Sequence, residues 1–111
     1  MAVAGTLNSA DFGVCHSATQ PKPVTLASAL TLTPTARFSF VTDQVQVANI
    51  VPPTIGAYCE VVLCFTHAAP GAMLTNGATY PIKVAYQPIQ NRPILMCYDP
   101  ISNYWWPAAV V

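Results

Sequence analysis

Two histidines, four cysteines and four carboxylates are the side chains of this sequence best suited to acid–base, nucleophilic or metal chemistry. Cys15 and His16 could form a nucleophile and base pair, but adjacent residues on an extended chain point to opposite faces. His67 follows an apolar run and precedes a turn, the position of a strand-end surface residue. The acids Asp11, Asp43, Glu60 and Asp99 are far apart with no motif around them, and a paired-acid mechanism would need two of them to converge. No G-x-S-x-G, P-loop or Gly-rich dinucleotide fingerprint occurs. The expectation is a non-enzymatic chain with no catalytic, cofactor or metal residues.

The cysteines are Cys15, Cys59, Cys64 and Cys97. A zinc site would draw on Cys59, Cys64, His67 and a partner such as Cys97. Cys59 and Cys64 are an odd number of residues apart on one expected strand, so they should face opposite sides, which defeats a shared tetrahedral site or a mutual disulfide. Small buried apolar thiols in a reducing compartment are the favoured reading, with a disulfide such as Cys59–Cys97 as an alternative. The densest aromatic cluster is Tyr98, Tyr104, Trp105 and Trp106. It could stack on a glycan. The simpler reading is a closing strand whose Trp105 and Trp106 point to opposite faces, one filling the core and the other a subunit interface. These four aromatics are the candidate interface or partner-binding residues.

The elements that would position them are short strands. Met1 to Pro21 is mostly small and polar and reads as an irregular N-terminal arm, with Leu7, Phe12 and Val14 as candidate docking residues. Residues 22–111 read as one β domain. Leu26, Ser28, Leu30 and Leu32 alternate with Thr25, Ala27, Ala29 and Thr31 before Pro34. Phe38 and Phe40 alternate with Arg37, Ser39 and Val41, and Asp43-Gln44 could turn the chain into a strand over Val45–Ile50 that Pro52-Pro53 stops. Tyr58 to Phe65 is the most apolar run, with Cys59, Val61, Leu63 and Phe65 sharing one face. Pro70-Gly71 and Asn76-Gly77 are turn signals. Thr79–Gln87 follows as a strand with Tyr80, Ile82, Val84 and Tyr86 on one face. Ile94–Tyr98, a turn at Asp99–Asn103, and Tyr104–Pro107 complete the series. With 11 prolines and no helical stripe, about seven strands at this spacing predict a compact all-β domain, an antiparallel sandwich or barrel-like fold.

Composition points toward association. The chain is 53% hydrophobic and 7% charged with zero formal net charge, against about 25% charged residues in ordinary soluble domains. Scaling puts a folded monomer's surface at about 5,900 Å². A trimer subunit contacting two neighbours would hide about a quarter of that. No stretch approaches 18 uninterrupted apolar residues, so no membrane span is expected. Positions 1–20 lack Lys, Arg and a continuous apolar run, which argues against a secretory signal and for folding in a reducing cytoplasm. Without a basic stripe, a nucleic-acid partner is not expected.

Several segments resemble a small β domain of tailed-bacteriophage virion proteins, of the capsid-decoration, head-fibre or tail-fibre type. They are Leu30 to Thr35, Ala48 to Pro53, the loop Gly71 to Gly77, and above all the closing hairpin Ile94 to Trp105, with its Tyr98-Asp99 and its turn before tryptophan. The resemblance covers roughly residues 24–111. It implies a trimeric, non-catalytic structural role on the virion exterior, with the major capsid protein or another virion protein as partner. A host-surface glycan is the alternative ligand. One domain with a short leader suits a decoration or head-fibre protein better than a tail fibre with a long shaft. The four cysteines and the very apolar Tyr58–Phe65 strand depart from the pattern.

Overall fold

The computed structural model describes residues 22–110. The expected docking arm with Leu7, Phe12 and Val14, together with Cys15 and His16, lies outside the described residues. Seven strands and no helix make up the described chain: β1 Val24–Ala27, β2 Thr31–Leu32, β3 Phe38–Thr42, β4 Asn49–Ile50, β5 Cys59–Phe65, β6 Ile94–Asp99 and β7 Tyr104–Val110. The all-β expectation of about seven short strands therefore holds.

Pairing differs from the antiparallel expectation. The main sheet has the order β1-β3-β5-β6-β7, in which β1–β3 and β3–β5 are parallel and β5–β6 and β6–β7 antiparallel. Parallel neighbours need long crossovers rather than tight turns. The crossover over residues 28–37 carries β2, and that over residues 43–58 carries β4. These two short strands pair in parallel as a second ladder. Val47 then bridges in parallel to Met73 beyond β5. The chain thus winds as a parallel coil of three turns, and the hairpin β6–β7 closes it. Main-chain bonds stack the turns: Ala48 and Asn49 N–H donate to Leu30 O, Val51 N–H to Leu32 O, and Leu74 N–H to Val47 O, all at 2.8–3.0 Å.

The core lies between the main sheet and these crossover segments. Val41, Val61, Leu63, Phe65, Met96 and Trp105 come from the sheet, and Leu32, Val47, Ile50, Met73 and Ile82 from the opposing layer. Trp105 ties the layers together by donating its indole N–H to Ile50 O at 2.6 Å. Asn49 is buried, and its Oδ1 accepts the N–H groups of both Thr79 and Tyr80 at 3.1 Å.

Three expected strands are shorter than their patterns suggest. Val24–Thr33 breaks after Ala27, because buried Ser28 accepts Val45 N–H on its hydroxyl and turns the chain, leaving Leu30 58% exposed while Leu32 is buried. Val45–Ile50 reduces to β4 and the Val47 bridge. Thr79–Gln87 makes only isolated bridges at Pro81, Ile82 and Tyr86. A bend at Lys83 and Val84 points Val84 outward, and Pro81 has no N–H to extend a ladder.

Turn chemistry is mixed. Asp43 and Asn103 adopt positive φ at the expected turns, as does Asn91 before β6, a conformation these side chains tolerate. Gly71 and Gly77 do not. A Cβ on Gly71 would collide with the Gln44 carbonyl oxygen and Val45 backbone, and one on Gly77 with the Ala48 carbonyl oxygen and Asn49 Oδ1. These glycines let successive turns of the coil touch rather than reverse the chain.

Candidate interaction face

The main sheet has an inner face against the core and an outer face that no other described element covers. Register fixes which residues share the outer face. Phe38 lies beside Val62, which lies beside Leu95. Thr25 lies beside Phe40, which lies beside Cys64. Glu60 lies beside Cys97, which lies beside Trp106, and Asp99 pairs with Tyr104. The centre of this face is apolar. Phe38 and Phe40 meet edge to face at 5.1 Å between ring centroids, Phe40 is 38% exposed and Trp106 40%. Five strands about 4.8 Å apart and about five residues long span a plane of about 400 Å². The apolar part of that plane falls within the range of the largest patch on an ordinary single chain, a patch that is often functional.

Phe38 and Phe40 are the residues that sequence reasoning missed. Ser39 and Val41 are fully buried and face the core, while the two phenylalanines face outward. The Ser39 hydroxyl has no hydrogen-bond partner. The bulky apolar side chains of β3 therefore occupy the open side of the sheet. The only local signal was that both Phe residues share one parity.

A polar rim borders the face where β5 starts and β6 ends. Arg37 donates to Glu60 Oε1 at 3.0 Å and the Tyr58 hydroxyl to Oε2 at 2.9 Å, so both carboxylate oxygens are held. These bonds, Tyr58 first, lower the Glu60 pKa. The neighbouring Cys97 thiol and the hydrogen bond to Glu60 raise the Tyr58 phenol. Asp99 is lowered by the Ser102 hydroxyl and the Ile101 N–H. Lys83 Nζ sits 4.7 Å above the Tyr104 ring.

Of the four candidate aromatics, only two reach the open face. Trp105 is fully buried and Trp106 is on the outer face, so the tryptophans divide between the two sides as expected. Tyr98 is buried against Trp105 at 5.2 Å between ring centroids and belongs to the core. Burial, with nearby acidic groups adding to it, raises its phenol pKa. Its hydroxyl bonds Asn103 Oδ1, and Asn103 Nδ2 donates to Thr79 O at 2.7 Å. Tyr104 is half-buried at the rim.

The groups weighed for chemistry are not brought together. Cys59 follows the core-facing parity of β5, whereas Cys64 and Cys97 follow the outer one, so the alternative Cys59–Cys97 disulfide is not formed; all three described cysteines are free. Cys64 is buried, which raises its thiol pKa. His67 lies past the far end of β5 from Cys59, with Nδ1 accepting Ala69 N–H. Among the described residues no group of three His, Cys, Asp or Glu side chains could hold a metal. A cleft of about 410 Å³ opens between the 34–37 and 53–60 segments, walled by Cys59 and the Arg37–Glu60 pair. The Cys59 thiol there donates to the Thr54 and Ala57 carbonyls at 3.3 Å. Comparison with protein-family models, curated proteins and solved structures found no match for this chain.

Proposed function

We propose that this chain is a non-enzymatic structural subunit of a tailed-bacteriophage virion, a homotrimer that decorates or cements the capsid exterior. The observation that supports it is the apolar outer face, with Phe40 and Trp106 exposed around half-buried Val62 and Leu95, on a chain with almost no charge to keep that face in water. Burying it against neighbouring copies would replace exposed aromatic surface with packed contact, and function would reside in interface area. The likeness of the closing hairpin Ile94–Trp105 to virion domains supplies the location, with the major capsid protein or another virion protein as the further partner. The chain would fold in the host cytoplasm before assembly.

Light scattering of the purified protein under reducing conditions tests the assembly. A mass of three chains is expected, and a monomer at every concentration overturns the trimer. A glycan-recognising fibre tip is the second reading, favoured by Tyr58, 59% exposed beside the rim, and by Trp106. Binding on a glycan array that Tyr58→Ala abolishes, with the mass unchanged, would favour it.

A further inference from the structure

The two edges of the main sheet are finished differently. On the β7 edge, Trp105 N–H donates to Pro81 O at 2.9 Å and Trp105 O accepts Lys83 N–H at 2.8 Å. The next outward position is Pro107, which has no N–H to offer. That edge is occupied and then capped.

Among the described residues, the β1 edge is neither. Ser28 N–H donates to Thr42 O at 2.9 Å, and alternate residues of a strand bond the same neighbour, so Val24, Leu26 and Ser28 direct their main chain toward β3. The N–H and C=O groups of Thr25 and Ala27 therefore point away from the sheet. Both residues are exposed, small and uncharged. Charge, an internal proline and a bulge are missing from Val24–Ala27, which leaves its four-residue length as the guard the strand itself carries.

We infer that this edge is a self-complementary contact with a second copy of the chain, β1 pairing antiparallel with β1 about a twofold axis through Leu26. In this register Thr25 of each copy faces Ala27 of the other, and the two pairs exchange four N–H···O bonds. Leu26 meets Leu26 across the axis with Cα atoms about 4.5 Å apart, the spacing of a non-hydrogen-bonded pair. Registers shifted by two residues set one outward residue against Pro23, which lacks an N–H, or against Ala29 beyond the strand. The charge at Lys22 lies at opposite ends of the paired strands, about 26 Å from its counterpart, more than two Debye lengths at physiological salt.

A four-residue strand is only about 13 Å long, far short of a standard interface. Such a contact is weak in dilute solution and effective where copies are already held close together. Resting on the proposed virion role, the contact links neighbouring oligomers side by side on the capsid surface.

Oxidative cross-linking of full-length Leu26→Cys at high protein concentration tests the contact. A Cα separation of about 4.5 Å permits a disulfide, so a dimer linked through position 26 is expected, identified by peptide mass against the unaltered chain treated in the same way. Adding Thr25→Pro removes an outward N–H without touching a bond to β3. It should lower the cross-linked fraction about 30-fold, since two of the four bonds are lost. Amide exchange at Thr25 and Ala27 should slow as concentration rises. An absent cross-link, a fraction unchanged by Thr25→Pro, or exchange independent of concentration each overturns the contact. A three-chain mass without the cross-link would leave the proposed assembly standing and remove this contact. A cross-link in an otherwise monomeric protein would do the reverse.

Discussion

Replacing each of the adjacent tryptophans with alanine should damage two different properties. Trp105 is fully buried, and its indole N–H satisfies the Ile50 carbonyl. Trp105→Ala should cost about 3–5 kcal/mol for the aromatic volume removed, and about 1 kcal/mol more for the hydrogen bond. That is a large share of the 5–15 kcal/mol typical of a whole domain. Trp106 is 40% exposed, which leaves about 100 Å² of a side chain of up to about 250 Å² open to solvent. Covering that area in an assembly contributes about 2.5 kcal/mol per subunit, or about 70-fold in association. Trp106→Ala should therefore weaken assembly by about that factor, at less than half the cost to the subunit's own stability. Urea unfolding below the assembly concentration reads the first quantity, and light scattering over a dilution series reads the second. If Trp106→Ala unfolds the subunit as severely as Trp105→Ala while leaving the assembly midpoint unchanged, the assignment of the outer face is refuted.

Three further substitutions test the packing and the rim. Ser39→Ala removes a buried hydroxyl that has no partner; it should stabilise the fold by about 1 kcal/mol in chemical denaturation. Gly77→Ala drives a methyl into the Ala48 carbonyl and Asn49 Oδ1; a loss of at least 1–3 kcal/mol is expected, read as a lowered denaturant midpoint. The Glu60 pKa is lowered in the fold from its ordinary value of 4.5, so its contribution is complete above that value and disappears as pH falls through the lower folded value. Thermal midpoints of the parent should drop with acid over that window more than those of Glu60→Gln. The difference should be small, because the pair is at the surface.

The closing hairpin was legible because everything that specifies it is local. Ile94–Tyr98 alternates cleanly, Asn103 supplies the left-handed turn residue, and consecutive tryptophans must point to opposite sides of a strand. Tyr58–Phe65 was legible for the same reason, with the even-spaced Val61, Leu63 and Phe65 all fully buried. The parallel order was not, since it depends on which crossover carries the chain back beside β1, and neither alternation nor turn residues encode that. The stretch Thr79–Gln87 looked like a strand because its side chains alternate, yet its main-chain partners are single residues on other turns, such as Ile50 N–H to Tyr80 O and Met73 with Tyr86. The outer face was the hardest part to anticipate. A serine faces the core and two phenylalanines face away from it on β3, which reverses the usual sense of hydrophobic patterning.

The parallel coil also sets an order of events for the chain. From β1 to β4 no strand pairs with its neighbour in sequence, since β1 waits for β3, β2 for β4 and β3 for β5, and β5 meets β6 only across a long connection. Only β6 and β7, joined by a short turn, can meet quickly. Yet that fast hairpin follows the coil in the sequence and carries Trp105, the side chain that fastens Ile50 to the sheet. During synthesis from the N-terminus, the three turns would emerge with their apolar inner faces open. They would hold that surface exposed until the last strand is delivered, so the completed fold is reached only after the ribosome has released residues 94–110.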